Sequence, residues 1–206
     1  MKERIILHLC ADIGSDSKPY REAGYDVRCV GREIGIENYT PPENVYGIIA
    51  NPPCTHFSIA RTVAKTPRDL NEGMRLVKEC QRIIWACLER QYQSPSRTMP
   101  LKFWTIENPA TGFLRWFLGK PSFEYCPSEF GADFTKKTAL WGCFTPPHRP
   151  FMEYIHKRTY SQCSRNDRAT SIIKYSGTHA EKRLAQMNDR SKCYEPFAKA
   201  FFEVNQ

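Results

Sequence analysis

An apolar run, Tyr46-Gly-Ile-Ile-Ala50, stops at Asn51-Pro52-Pro53-Cys54, and that stop constrains the chain more than any other feature. The run has the length and branched composition of a buried strand. Proline lacks the amide that a central strand must donate, so two in succession force the chain out of the sheet. Cys54 is thereby expected at a strand's carboxyl end, where open parallel sheets hold their ligands. A cysteine between a rigid diproline and the polar pair Thr55-His56 is aimed outward. The competing reading is a small buried hydrophobe, which is what most reduced cysteines are.

The remaining elements read as alternating strands and helices. Arg4 to Leu9 is a short β-rich run that breaks into a loop of small and acidic residues, Cys10 to Lys18. Pro19 opens a short helix ended by Gly24, and Tyr25 to Val30 is a second strand. Thr66-Pro67-Arg68-Asp69 supplies a cap and a first-turn proline for a helix running to about Tyr92, with Met74, Val77, Ile84 and Leu88 at helical spacing. A polar loop leads to the strand Lys102 to Ile106, which delivers Glu107-Asn108-Pro109 at its end. Ala139 to Gly142 is a further strand, Thr178 to Glu181 a second capping box, and Glu195-Pro196 opens a last amphipathic helix. The pattern predicts an α/β domain with a mostly parallel sheet and helices on both faces.

Composition narrows the class. The 206 residues are 41% hydrophobic and 25% charged, enough for one domain with its own core. No apolar stretch reaches the roughly 20 residues of a membrane helix, and the N-terminus carries no signal pattern, so a cytoplasmic protein is expected. The nine cysteines form no CxxC pair. Cys126, Cys143, His148, His156 and Cys163 match no zinc-finger spacing, and no metal is expected. The net charge of +8 points to an anionic partner. From Arg149 to Lys192 ten basic residues face four acidic ones, with Tyr154, Tyr160 and Tyr175 among them.

Two proline-bounded strand ends, one bearing Cys54 and the other Glu107, look into one crevice in this arrangement. Pro53-Cys54-Thr-His-Phe-Ser58 resembles the Pro-Cys-x-x-Phe-Ser motif of the carbon-5 cytosine DNA methyltransferases, and Glu107-Asn108-Pro109 resembles their Glu-Asn-Val motif, in the family's order. Pro19 to Val27, Pro41 to Gly47 and the tail from Arg190 resemble short phage or prophage members, whose location is the host cytoplasm.

The resemblance implies a Rossmann-like, S-adenosylmethionine-dependent methyltransferase domain spanning residues 1–206, with the basic segment at about 149–192 in place of a full target-recognition domain. It implies that Cys54 is the nucleophile that adds to carbon 6 of cytosine, and that Glu107 stabilises the charge pushed into the ring. Asn108 orients the glutamate or the base. For the cofactor it implies Asp12 and Gly14 in the turn after the first strand, Glu33 for the ribose, Glu37 (or Gly35 in its place) near the adenine, and Asn51 and Pro53 beside them. Ser58, Lys136, Lys137 and Thr138 stand where the family contacts its substrate, with lysines replacing arginines and so losing bidentate contact.

Cytosine in DNA is the expected acceptor. A free cytosine nucleotide, RNA or an exocyclic amine is the alternative, since Asn51-Pro-Pro also resembles the Asn-Pro-Pro-Tyr motif of amino methyltransferases. A non-catalytic nucleic-acid-binding relative is the third reading, supported by the glycine-poor turn.

Overall fold

The computed structural model describes residues 4–11, 14–59, 66–93, 101–151 and 192–206. Asp12, the capping box at Thr178 to Glu181, and the basic segment between 152 and 191 with Tyr154, Tyr160 and Tyr175 lie outside the described residues.

Six strands form one sheet: β1 (Ile5–Leu9), β2 (Asp26–Val30), β3 (Val45–Ala50), β4 (Phe103–Pro109), β5 (Phe123–Tyr125) and β6 (Thr138–Cys143), ordered β2-β1-β3-β4-β6-β5. The first four are parallel, with Leu9 opposite Ala50 and Ala50 opposite Ile106. Strand β6 runs antiparallel to both β4 and β5. The sheet is therefore mixed, not mostly parallel as expected. The cause lies in the connection from β5 to β6, which holds one short turn at Pro127–Phe130 instead of the helical crossover a parallel return needs. β5, only three residues long, carries no sequence signal of its own.

Residues of alternate parity on the strands bury opposite faces. Ile5, Leu7, Leu9, Ile48, Ala50 and Ile106 pack under α2 (Leu70–Gln93), which contributes Val77, Cys80, Ile83 and Ile84. Ile6, Ile49 and Phe103 pack on the other face with Tyr20 of α1 (Lys18–Glu22) and with Phe197 and Phe201 of the C-terminal helix Glu195–Asn205. Helices thus cover both faces, as the apolar periodicity predicts. A four-residue helix, α3 (Arg115–Leu118), follows β4, and the C-terminal helix is α4.

Two boundaries differ from expectation. Helix α2 starts at Leu70, and Asp69 instead of Thr66 caps it, its carboxylate accepting from the Glu72 amide at 3.0 Å. Strand β4 continues through Glu107 and Asn108 to Pro109 because β6 pairs with it there, Glu107 opposite Leu140 and Asn108 opposite Ala139. Glu107 is thus a strand residue, not the first residue of a turn. Among the described residues no helix is long and apolar enough to cross a membrane.

Candidate active site

The chain order places β2 on one side of β1 and β3 and β4 on the other, so the topological switch falls between β1 and β3. Ligands of open α/β sheets lie beyond the carboxyl ends at such a point. β1 ends there at Leu9, after which Cys10 turns the chain with a φ of 58°, and β3 ends there at Ala50, followed by Asn51, whose amide donates to the Leu9 carbonyl at 3.0 Å.

The Cys54 turn is built by its neighbours. Pro53, at φ −52° and ψ 125°, leads into one 3-10 turn over Cys54–His56. The Cys54 carbonyl accepts from the amides of Phe57 and Ser58 at 2.9 and 2.8 Å. Phe57 is the anchor: its ring is fully buried, and its carbonyl accepts from the Phe113 amide at 2.9 Å. Gly73 of α2 is required here, since a Cβ would come within 2.9 Å of both the Phe57 ring and the His56 side chain. The Arg68 guanidinium donates to the carbonyls of His56 and Ser58, and the Asp69 amide donates to His56 Nδ1 at 3.0 Å. From β4, the side-chain amide of buried Asn108 donates to the Pro52 carbonyl at 3.0 Å. The cysteine is thereby held on a turn tied to two separate elements.

Glu107 points to the opposite face from Asn108, into a cavity of about 40 Å³ lined in part by Asp16, Asn51, Lys136, Tyr125 and Cys193. That volume accommodates ordered water at a polar site. Desolvation pushes the Glu107 carboxyl up to about 7, against the opposing charge of Lys136 and with help from Asp16. Near neutral pH it is therefore both a proton donor and an acceptor. The Cys54 residue keeps an exposed edge, yet its thiol is raised above the ordinary cysteine value, first by desolvation and then by the Glu107 charge, while Lys136 opposes both. Cys54, Glu107 and Lys136 thus share one electrostatic environment although they come from three parts of the chain.

Beside them lies a second polar group. The Asn51 side-chain amide donates to the Asp16 carboxylate, and Asn51 Oδ1 is buried without a partner. His8, on β1, meets Ser17 Oγ at 2.8 Å through Nδ1 and turns Nε2 toward Asp16 at 3.7 Å. Against the opposing pull of the Asp16 charge, burial lowers the His8 pKa and so favours the neutral ring. Gly14, at φ 70°, lies in this loop, where a Cβ would come within 3.0 Å of Cys29 Sγ, and its carbonyl accepts from Ser17 Oγ at 3.2 Å. The Cys193 amide donates to Ser15 Oγ at 2.9 Å, bringing the C-terminal segment onto the same loop. Burial and the Asp16 charge hold the Cys193 thiol well above the ordinary cysteine value.

Asn51, Glu107 and Lys136, three of the residues anticipated from sequence, line one cavity, and Cys54, outside that lining, feels the charges of Glu107 and Lys136. Ser58 and Asn108 shape the Cys54 turn instead of lining that cavity. Lys137 is exposed, and Thr138 is buried with its hydroxyl donating to the Lys136 carbonyl at 2.9 Å. Glu33 is exposed in the turn after β2, and Glu37 is exposed and paired with Arg75 of α2. Neither lines the cavity.

Asp16, His8 and Cys193 were not anticipated. The acid in the post-strand loop was a usable signal for Asp16. His8 lay inside an apolar run, and Cys193 is 177 positions from Asp16 in sequence, so no local pattern could have joined them. No protein-family model matches the chain, and no curated protein matches it.

Proposed function

We propose that this chain is an S-adenosylmethionine-dependent methyltransferase of Rossmann-like fold acting on carbon 5 of cytosine in DNA. The observation that carries the reading is that Cys54, on a turn held outside the sheet, lies within the electrostatic reach of Glu107, a carboxyl poised at about 7.

The residues at the switch point fit the cofactor. Asp16 suits an ammonium group, the unpartnered Asn51 Oδ1 suits a donor, and Gly14 permits close backbone approach. S-adenosylmethionine bound there would supply an electrophilic methyl group.

Carbon 5 of cytosine is too weak a nucleophile to take that methyl unaided. Addition of the Cys54 thiolate at carbon 6 makes carbon 5 electron-rich, and protonated Glu107 donates to ring N3, where the displaced charge collects. After methyl transfer, the carbon-5 proton passes to solvent, its electron pair re-forms the double bond between carbon 5 and carbon 6, and the carbon 6–sulfur bond breaks to release the Cys54 thiolate. The two side chains also assist one another. A proton fixed on Glu107 by the base removes the negative charge that helps hold the Cys54 thiol up, so substrate binding itself eases formation of the thiolate. Lys136 acts in the same direction.

Incubation with labelled S-adenosylmethionine and DNA containing 5-fluorocytosine is expected to trap a covalent adduct, because fluorine cannot leave as the proton does. Cys54→Ser is expected to form none. Methyl transfer to the exocyclic N4 without an adduct would overturn the reading. Duplex DNA, single-stranded DNA, RNA and a free cytidine nucleotide compared as acceptors decide the substrate class, with DNA expected to be fastest.

A further inference from the structure

Directly beside the Cys54 turn lies a column of flat groups that the chemistry above does not use. The Arg68 guanidinium, hydrogen-bonded to the His56 and Ser58 carbonyls of that turn, covers the Phe113 ring at 4.6 Å. Phe113 meets Trp116 with ring centroids 4.6 Å apart. The outer end is open to solvent: Trp116 is 72% exposed and the next residue on α3, Phe117, 47%. Large side chains so exposed at one edge mark an interaction surface.

The surroundings select the partner. Arg68, Arg115, Lys120 and Lys137 stand on or next to the elements that carry the column; the acids nearby in sequence or contact include Asp69, Glu72, whose amide donates to Asp69, and Glu124, at 3.8 Å from Arg115. Stacking faces interleaved with cations fit an unpaired nucleic-acid strand, whose bases offer flat faces and whose phosphates meet the cations. They fit poorly to a second apolar protein face.

We propose that Trp116, at the end of the Arg68–Phe113–Trp116 column, is the platform on which a base of the DNA strand flanking the target cytosine stacks. The inference rests on the methyltransferase reading and deepens it. When the target base leaves the stack for the Cys54 thiol, the neighbouring base loses a partner, and Trp116 replaces the lost face. Recognition is then borne partly by the catalytic framework itself, through α3.

The test is anisotropy titration of the full chain with a labelled single-stranded deoxyoligonucleotide containing one cytosine, together with the 5-fluorocytosine adduct assay. Trp116→Ala is expected to raise Kd about tenfold, with the salt dependence unchanged, because a stacking contact and not a phosphate contact is lost. Trp116→Phe is expected to restore most of the affinity. Trp85→Ala, an exposed tryptophan on α2, is the control and should leave Kd unchanged.

A Kd for Trp116→Ala within about twofold of wild type overturns the platform, given the size of a stacking contact, as does a wild type that binds no oligonucleotide or prefers RNA. Normal adduct formation with a Trp116-independent Kd removes the platform alone. Trp116-dependent binding with no adduct removes the methyltransferase reading alone.

Discussion

Glu107 and Asn108 are neighbours on one strand, and they do opposite jobs on opposite faces of the sheet. Glu107 enters a small cavity under α4 lined by both apolar and polar side chains, where desolvation raises its pKa. Asn108 enters the α2 side, where it ties the Pro52 carbonyl and so holds the cysteine's turn. One residue supplies charge chemistry and the other supplies geometry. The strand's two-residue period delivers both functions from consecutive positions on opposite faces.

The largest effect that would separate the two is expected from Glu107→Gln. The amide is nearly isosteric but cannot change its protonation with the reaction, so methyl transfer should fall about 10²–10⁴-fold while the folded structure persists. Single-turnover rates with circular dichroism check both halves, and equal loss of fold and rate would break the division of labour.

Next comes the pH dependence of stability. The Glu107 carboxyl is raised from 4.5 to about 7 in the folded state, so the folded chain holds a proton that the unfolded chain has released. Its contribution is fully present below about pH 4.5 and is lost as pH rises through about 7, a change on the order of 3 kcal/mol. Urea unfolding from pH 4.5 to 8 should show this decline, and Glu107→Gln should flatten it.

Asn108→Ala is expected to cost about 1–3 kcal/mol, since the Pro52 carbonyl loses its buried donor. Unlike the glutamate variant, it should lower stability and rate together, because the turn that aims Cys54 is loosened. Thermal unfolding alongside adduct formation tests that pairing of losses. The smallest effect is expected from Arg68→Lys, at about 1 kcal/mol or less, as an ammonium keeps the charge but cannot bridge two carbonyls and cover Phe113 at once. A loss as large as that of Asn108→Ala would move the main support of the turn from β4 to α2.

The unequal legibility of these residues has physical causes. Cys54 was readable because proline's missing amide acts locally, whatever the rest of the chain does. Glu107 was readable near the end of a strand but not in its setting: Pro109 suggested that the strand had ended, whereas pairing with β6 carries it through Asn108. The opposite facing of Glu107 and Asn108 follows only once that extension is known. The polar cluster at the switch point was the least legible, because it joins His8, Asp16, Asn51 and Cys193 from four separate segments.

What the sequence by itself determined are the features set within a few residues. These are the exit of the chain at Pro52-Pro53, the apolar periods of the strands and of α2, and the proline-opened C-terminal helix. Tertiary structure alone decided the antiparallel direction of β6, the Asn108 tie to Pro52 across 56 positions, and the protonation of Glu107. Steric and periodic rules act through adjacent bonds. Desolvation and hydrogen-bond partnership depend on which distant atoms displace water, and those are known only when the chain has closed around them.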